Sequence, residues 1–382
     1  MTTAADRGFG LYIHAPFCRQ KCSYCDFNSY PGLESLIVDY AEAVGEQIKQ
    51  AGADRTRPEV KTIFFGGGNP ALLGIDGIST LLEACRRGFK IVDGAEISIE
   101  MNPEDARSGF LGAIRDVGFN RLSLGWQSLD DGRLALLGRR HNSEQAPASL
   151  DAAREAGFSN INIDLIFGLP GQTQEAWRLE ILRAAGYGPD HISAYMLSIA
   201  PGTRLARQVD DGQVDLPDEE TAARMFETTP KVLGRAGYDQ YEISNYARAG
   251  RECRHNLNYW TGGDYLGFGA GAHSHRSGRR WWGVDGPKEF IERIRSGDPT
   301  AGHEDLSERQ RLSERMFLGL RLNKGVSRAE IEAEFGLSID ETYGVALAEL
   351  RALGLADTGR MISLTEKGRL LANEAMALFV VD

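Results

Sequence analysis

Three of the five cysteines lie close together, in a C-x3-C-x2-C pattern formed by Cys18, Cys22 and Cys25. Zinc sites usually contain paired C-x2-C units and four ligands, whereas Cys85 and Cys253 are isolated in the sequence. Zinc bound by the three cysteines and either His14 or His255 is one alternative. The spacing favours a [4Fe–4S] cluster instead, because three thiolates leave one iron without a protein ligand and free to chelate a small molecule.

A run of glycines follows the second predicted strand, in the sequence Gly66-Gly67-Gly68-Asn69-Pro70. Glycines let a backbone pass close to a ligand, and their N–H groups can donate to a carboxylate partner. Taken alone, the run is no more than a turn between a strand and a helix. Next to the cysteine loop, it predicts part of a ligand site.

One face of the predicted strands is polar. The polar positions in four strands are Tyr12 and His14; Ser98, Glu100 and Asn102; Arg121, Ser123, Gly125 and Gln127; Asn162 and Asp164. A buried polar group without a partner costs about 1–3 kcal/mol. The pattern therefore predicts a lumen that holds water or a polar ligand, with edge-exposed strands that have a wet face as the alternative.

A second candidate site lies in the sequence His255-Asn256-Leu257-Asn258-Tyr259-Trp260. An imidazole among aromatic side chains and glycines can be an axial haem ligand, because haem needs one basic donor and an apolar wall. A lone histidine in a loop is more often a hydrogen-bonded structural residue. Three arginines and two tryptophans lie nearby, namely Arg276, Arg279, Arg280, Trp281 and Trp282. In one interpretation the arginines pair with haem propionates and the tryptophans cover the haem ring; in the other the segment is a basic loop.

The elements that must position these residues alternate as βα units from residue 11 to about residue 247. The predicted strands are Leu11–Pro16, Thr62–Gly66, Ile97–Asn102, Arg121–Gln127, Asn160–Phe167, His191–Leu197 and Gln240–Ser244. Six or seven parallel strands fit a barrel or an incomplete barrel, with a doubly wound open sheet as the rival architecture.

Two further regions follow the predicted barrel of residues 1–247. Residues 248–305 have little periodicity and predict a long functional loop and linker. Residues 306–382 predict three amphipathic helices, a hairpin over Ala356–Leu364 and a last helix capped by Thr365, as in a winged-helix-like domain. This last region has ten basic and twelve acidic residues, so it lacks the positive surface needed to bind nucleic acid.

The composition is that of an ordinary globular protein of 382 residues with a formal net charge of −11. No apolar run approaches the roughly 18 residues that cross a bilayer. The first ten residues include Asp6 and Arg7 and lack the layout of a signal peptide, and an odd number of cysteines cannot form a disulfide framework. These features predict a cytoplasmic protein.

The segment from Tyr12 to Asn28, with its three cysteines, resembles the radical S-adenosylmethionine (SAM) superfamily. The resemblance implies a [4Fe–4S] cluster on the cysteines, SAM on the open iron, an electron donor such as a flavodoxin or ferredoxin, and an α/β fold with an incomplete (β/α)6-type barrel. The glycine run resembles the motif that contacts the SAM amino group, which usually has Thr where Asn69 stands. The positions implied for cofactor binding are Tyr12, Tyr24, Gly67, Gly68, Asn69, Glu100, Gln127, Arg139 and Asp164.

Residues 255–260 are similar to the H-N-x-x-Y-W motif of the haem chaperone HemW family, in which the histidine is taken to bind haem iron. The resemblance extends over nearly the whole chain. The related oxygen-independent coproporphyrinogen III oxidases have a further cysteine two places after the triad, where this chain has Phe27, and a longer segment before it. Both differences favour the chaperone family.

Membership of that family implies that the protein binds haem and, with the cluster and SAM, delivers it to apo-haemoproteins, among them respiratory proteins at the membrane. A homodimer is compatible with this role, and no nucleic-acid partner is expected. Whether the chain is also an enzyme is left open by the sequence. The alternatives are oxidative decarboxylation of coproporphyrinogen III and a zinc-stabilised binding module.

Overall fold

The computed structural model describes residues 8–53 and 58–380. Its strands are β1 Phe9–Ala15, β2 Phe17–Cys18, β3 Tyr30–Pro31, β4 Glu59–Gly67, β5 Lys90–Met101, β6 Arg121–Gln127, β7 Ile161–Phe167, β8 His191–Met196, β9 Asp239–Glu242, β10 Asn245–Ala247, β11 Asp264–Phe268, β12 His273–Arg276, β13 Arg279–Gly283, β14 Thr300–Asp305, β15 Val326–Ser327, β16 Ala356–Thr358 and β17 Met361–Leu364.

The α-helices connect these strands, and those from α11 onward belong to the C-terminal domain with its own core. They are α1 Ile37–Gly52, α2 Gly74–Gly88, α3 Ser108–Val117, α4 Asp131–Leu136, α5 Gln145–Glu155, α6 Gln174–Gly186, α7 Arg204–Asp210, α8 Glu219–Arg235, α9 Arg254–Trp260, α10 Pro287–Ser296, α11 Glu308–Gly319, α12 Arg328–Phe335, α13 Ile339–Ala352, α14 Glu366–Leu370 and α15 Ala372–Ala377. No helix in the described ranges has the length and apolar character needed to span a membrane.

Six strands lie side by side in parallel and in chain order, namely β1, β4, β5, β6, β7 and β8. This confirms the predicted (β/α)6-type arrangement. The sheet does not close among the described residues, because β11 continues it beyond β1 and β10 beyond β8. The prediction of a seventh parallel strand at Gln240–Ser244 is wrong, since β9 and β10 form an antiparallel hairpin at that edge.

The polar face of the strands points into the enclosed side of the sheet. Ser98, Ser123 and Asn162 are buried there, while the alternating Leu124 and Trp126 are fully buried on the opposite face. The alternative of edge-exposed strands with a wet face is therefore wrong. Period-two alternation with both faces buried is what a helix-covered sheet around a polar lumen requires.

Residues 248–305 are not the long loop that the sequence predicts. They form α9, the strands β11 to β14 and α10, and β11 pairs in parallel with β1. The strands are only four to six residues long and are separated by glycine-rich turns, so no sequence window carries enough periodicity to reveal them. The separate haem-binding role given to this region stays a prediction.

The segment from residue 306 onward has its own core, formed by residues such as Met316, Leu320, Ile331 and Leu347. Ser307 caps α11, and β15, β16 and β17 form a small sheet behind the three helices α11, α12 and α13. Thr365 caps the following helix as predicted, although this helix is broken at Leu371 into α14 and α15. The winged-helix-like arrangement is thus present in the structure.

Candidate functional site

The three-cysteine loop lies at the carboxyl end of β1. The backbone N–H of Gly68 donates to the carbonyl of Ala15 (2.9 Å), and that of Asn69 donates to the carbonyl of Phe17 (2.8 Å). On the other side of the loop, the Ser23 hydroxyl donates to the carbonyl of Leu136 at 2.7 Å. The glycine run and the α4 segment therefore hold the loop from two directions.

Cys18, Cys22 and Cys25 are free, partly exposed thiols that line one cavity of about 400 Å³, here called the upper cavity. Burial raises the pKa of Cys18 to about 11 and also raises the pKa of Cys25. A thiolate in this position needs a neighbouring positive charge, which an iron–sulfur cluster supplies. The three side chains fit that group, and binding it must release protons. In the part of the chain that the structure describes, no three metal-ligand side chains form a ready site for a single ion.

The glycine run supports the upper cavity by its shape. A Cβ on Gly68 would lie 2.6 Å from the carbonyl oxygen of Phe17 and 3.0 Å from Sγ of Cys18, so only glycine fits there. Gly67 has a φ of 110°, in the region that favours glycine. The expectation that N–H groups of this run face a ligand is wrong for residues 67–69, because the Gly67 amide donates to Glu100 and the next two hold the cysteine loop.

Asn69 is buried and turned toward the protein. Its side-chain amide donates to Oδ2 of Asp105 at 2.6 Å, and its Oδ1 accepts from the N–H of Ala71 at 3.3 Å. The residue thus caps the short 3-10 helix Pro70–Leu73. It lines the upper cavity, but both ends of its side chain are already engaged.

Two carboxylates project into the upper cavity from β5 and β7, the strands on either side of β6. Glu100 on β5 accepts the Gly67 N–H at 3.2 Å, and Asp164 on β7 accepts hydrogen bonds of 2.9 Å from Ser123 and from Asn162. Burial, and then the charge of Asp164, raises the pKa of Glu100 to about 8. At neutral pH, Glu100 is therefore mostly a protonated carboxyl group that can donate as well as accept.

Gln127, Arg139 and Tyr24 complete the predicted wall of the upper cavity. Gln127 has a φ of 64°, which is rare for a residue with a side chain, and lies at a bulge of β6. Arg139 donates to Oδ1 of Asn102 (2.7 Å), to the carbonyl of Gly125 (2.9 Å) and to Sγ of Cys22 (3.6 Å). It is therefore a fixed part of the wall and not a solvated charge at the end of a helix.

Tyr12 does not lie on the wall of the upper cavity. Its hydroxyl is hydrogen-bonded to Nδ1 of His14 at 2.9 Å, and its ring stacks on Phe64. It lines a smaller cavity of about 140 Å³ deeper in the lumen, which also contains Arg121 and His255. The strand alternation correctly places Tyr12 on the polar face, but its depth along β1 separates it from the cysteines.

His255 is 1% exposed and lies in the first turn of α9 instead of a loop. Its Nδ1 is hydrogen-bonded to the Thr62 hydroxyl at 2.8 Å and its Nε2 to the Tyr259 hydroxyl at 2.9 Å. Burial, reinforced by the charge of Arg121, lowers its pKa to about 3, so the ring is neutral. Both nitrogens are occupied in this structure, and neither is available to an iron atom without a rearrangement.

The start of α9 is fixed by the carboxylate of Glu96 on β5. Oε2 of Glu96 accepts the Arg254 N–H at 3.0 Å, and Oε1 accepts the His255 N–H at 3.1 Å. A carboxylate at this position satisfies free amides and complements the positive end of the helix. The sequence offered no signal for this contact, because the two partners are separated by some 160 residues.

The sequence reasoning missed Tyr195 and named Asn102 only as part of the polar strand face. Tyr195 on β8 lines both the upper and the smaller cavity, and Asn102 positions Arg139. The signal for Tyr195 was present, since His191, Ser193 and Tyr195 alternate along β8. Much of the deeper polar network is also satisfied internally: the Asn162 amide donates to Ser123 (2.7 Å) and its oxygen is hydrogen-bonded to His191 (2.6 Å).

Comparisons with known proteins agree with this architecture. A model of the radical SAM superfamily matches residues 12–183, and a model of the HemN C-terminal domain matches residues 306–371. The chain is 37% identical to the heme chaperone HemW of Bacillus subtilis over 97% of this chain and 98% of the relative. It is 38% identical to heme chaperone HemW of Mycobacterium tuberculosis (strain H37Rv) over 96% and 93%.

A solved structure is similar over nearly the whole length. The coproporphyrinogen III oxidase HemN from Escherichia coli, a radical SAM enzyme, superposes with a TM-score of 0.86 at 27% identity and covers 98% of this chain and 90% of its own. The fold that surrounds the upper cavity is therefore the radical SAM fold.

Proposed function

The chain belongs to the HemW family of radical SAM proteins, and from this membership we propose that it is a haem chaperone. In this role it binds haem and, with a [4Fe–4S] cluster and SAM, delivers haem to apo-haemoproteins. The observation that carries the proposal is the 37% and 38% identity to heme chaperones over nearly the full length of both partners. A match of this extent includes the cysteine loop, α9 and the C-terminal domain together.

The upper cavity would hold both cofactors. Cys18, Cys22 and Cys25 would bind the cluster, which supplies an iron with an open position for SAM. The positive charge of Arg139 faces the same space as the carboxyl groups of Glu100 and Asp164. Arg139 would offset a negative group of the ligand, while the two acidic side chains would accept its hydroxyl or ammonium hydrogens.

The remaining predicted contacts would shape the cofactor site. Tyr24 packs with Leu137, Ile166 and Leu169 at the edge of the cavity and offers a ring to a planar base. Gly67 and Gly68 leave room for a close approach, and Gln127 lines the same cavity with a φ of 64°. Asn69 would act through the short 3-10 helix that it caps, since its side chain is engaged with Asp105.

His255 as the axial haem ligand stays a proposal from the sequence motif. Its two ring nitrogens are hydrogen-bonded to Thr62 and Tyr259, so ligation requires that at least one of these contacts breaks. Each such hydrogen bond contributes about 1 kcal/mol net, which haem binding can offset.

The second candidate function is oxidation of coproporphyrinogen III, favoured by the structural similarity to HemN. The position of the extra cysteine expected in that enzyme is occupied by Phe27, whose side chain is exposed at the cavity. We therefore prefer the chaperone. A cytoplasmic location, a flavodoxin- or ferredoxin-type electron donor, respiratory haemoproteins as recipients and a homodimer belong to the proposal as further expectations.

The two functions are separated by one pair of assays on anaerobically reconstituted protein. A chaperone is expected to bind haem, with a change in the Soret band, and to pass it to a haem-free acceptor protein faster than free haem transfers in a parallel control. With SAM, a reductant and coproporphyrinogen III, it is expected to form no protoporphyrinogen IX. Product formation over many turnovers would contradict the chaperone proposal.

A further inference from the structure

A buried hydroxyl group lies next to the cysteine triad. Ser29 is 3% exposed and lines the upper cavity together with Cys18, Cys22 and Cys25. Its Oγ has no contact with solvent and no hydrogen-bond partner of ordinary geometry among the residues that the structure describes. Buried hydroxyl groups are normally hydrogen-bonded, because an unmet donor costs free energy. Ser29 therefore brings a donor that still needs an acceptor to the wall of the cofactor site.

The sulfur atoms of Cys18 and Cys25 are the acceptors that this hydroxyl can serve. Burial raises the pKa of both thiols, and the nearby Ser29 hydroxyl opposes that rise at each of them. A thiol is a weak acceptor, whereas the negative charge of a thiolate makes the hydrogen bond charge-assisted and stronger. The acceptor that Ser29 lacks is therefore supplied once the cysteines bind a metal centre as thiolates.

The backbone on both sides of Ser29 is fixed. The carbonyl of Asn28 accepts a hydrogen bond from Nε2 of His14 at 2.8 Å, and the N–H of Tyr30 donates to the carbonyl of Pro16 at 2.7 Å. A side chain on a backbone held in this way keeps its position in a site. The hydroxyl hydrogen can still turn about the Cβ–Oγ bond towards an acceptor.

The side chain of Asn28 fastens this segment to a distant part of the chain. Its amide donates to the carbonyl of Ala270 at 3.1 Å and to that of Asp285 at 3.0 Å, which lie 242 and 257 residues further along the sequence. A Cβ on Gly271 would lie 2.4 Å from the amide nitrogen of Asn28, so the turn after β11 fits closely around it. The segments that follow β11 and β13 thus help to set the position of Ser29.

From these contacts we propose that Ser29 donates an O–H···S hydrogen bond to a cluster-binding sulfur of Cys18 or Cys25 and so raises the reduction potential of the cluster, with Asn28 as the positioning residue. The inference rests on the proposed assignment of the [4Fe–4S] cluster to the three cysteines. Hydrogen bonds to the sulfur atoms are among the features that set the potential of such clusters, because they stabilise the added negative charge of the reduced form. Ser29 thus makes the cluster easier to reduce.

The test is a potentiometric titration of the full chain after anaerobic reconstitution with iron and sulfide, followed by the visible absorption of the cluster. Ser29→Ala removes the hydroxyl with little change in volume. At the midpoint potential of the wild type, this variant is expected to lower the ratio of reduced to oxidised cluster at least about threefold, the effect of one lost hydrogen bond. Its iron and sulfide content should match that of the wild type.

Two comparisons separate the hydroxyl from a general disturbance of the loop. Ser29→Thr and Ser29→Val have nearly the same shape and differ in the hydroxyl, so the threonine variant should keep a higher reduced fraction than the valine variant. Ser23→Ala is the matched control, because the Ser23 hydroxyl of the same loop already donates to the carbonyl of Leu136 at 2.7 Å. This control should leave the ratio unchanged.

The role of Asn28 is tested by combining variants. Asn28→Ala should lower the reduced fraction in the same direction as Ser29→Ala, and the double variant should go no further than Ser29→Ala alone, since Asn28 acts through that hydroxyl. Additive effects of the two substitutions would contradict the positioning role.

Equal reduced fractions in the wild type and Ser29→Ala, or in the threonine and valine variants, would overturn the inference and leave the cluster assignment and the chaperone proposal standing. A shift of the same size in Ser23→Ala would also overturn it. If the reconstituted wild-type chain binds no iron and sulfide, the cluster assignment itself is overturned together with the inference.

Discussion

The two ends of the sheet differ in how their cavities are built. The upper cavity is lined by residues at the carboxyl ends of parallel strands, and those strands share one continuous core. A large cleft of about 910 Å³ lies between that core and the separate core of the C-terminal domain, and it is bounded by the amino ends of β1 and β4 and by α11 and α12. A site on strands of one core keeps its geometry, whereas a site between two cores opens when the units move apart. Movement of the C-terminal domain is therefore expected to change this cleft and to leave the upper cavity intact.

The largest effect is expected from removing the cysteines. Replacing Cys18, Cys22 and Cys25 with Ser should abolish binding of iron and sulfide, because all three thiolates at the upper cavity are lost. Haem affinity should stay within about twofold, since distant sites behave independently. Iron and sulfide analysis beside a haem titration measures both. The control is Cys85→Ala, which changes a buried cysteine of α2 outside the triad and should retain the full iron content. If the triple variant lost haem binding together with iron, the view that the two cavities act independently would be contradicted.

A smaller effect is expected from the titration of Glu100. The pKa of Glu100 is about 8 in the native state and 4.5 as its ordinary value, so between pH 4.5 and pH 8 the native state holds a proton that the unfolded chain has lost. Stability of the cofactor-free protein should therefore fall as pH rises from about 5 to 8, by about 3–4 kcal/mol from this group. Glu100→Gln should flatten that slope in urea denaturation series, and the exposed Glu83→Gln should not. An unchanged slope would mean that Glu100 is charged in the native state.

The smallest effect concerns Thr62, which holds His255 in place. Thr62→Val removes a hydrogen bond of about 1 kcal/mol, so haem affinity would rise by no more than about fivefold if His255 must be released to bind iron. We expect a rise of this size, because His255 is the proposed iron ligand and Thr62 occupies its Nδ1. The double variant Thr62→Val/His255→Gln checks the result, since any gain that depends on the imidazole must vanish in it.

The sequence predicted the upper cavity well and the structure of residues 248–305 poorly, for physical reasons that differ. Glu100, Gln127 and Asp164 were found because period-two alternation fixes the face of a strand residue without knowledge of its neighbours. The burial of His255 depends on Glu96 and Thr62, which are far away in the chain and carry no local signal. The short strands of residues 264–283 also escaped detection, because turns interrupt them before a pattern is established.

The attachment of α9 to Glu96 has a consequence for the order in which the protein folds and opens. A helix of seven residues is too short to persist alone in water, so α9 can form only after β5 has brought the Glu96 carboxylate into place. Because of this dependence, we expect α9 to form after the central strands during folding and to unfold locally before them. Its amide hydrogens should therefore exchange with solvent sooner than those of the central strands. Brief local unfolding of these roughly two turns, and not a movement of the barrel, would then be the route by which the imidazole of His255 becomes exposed.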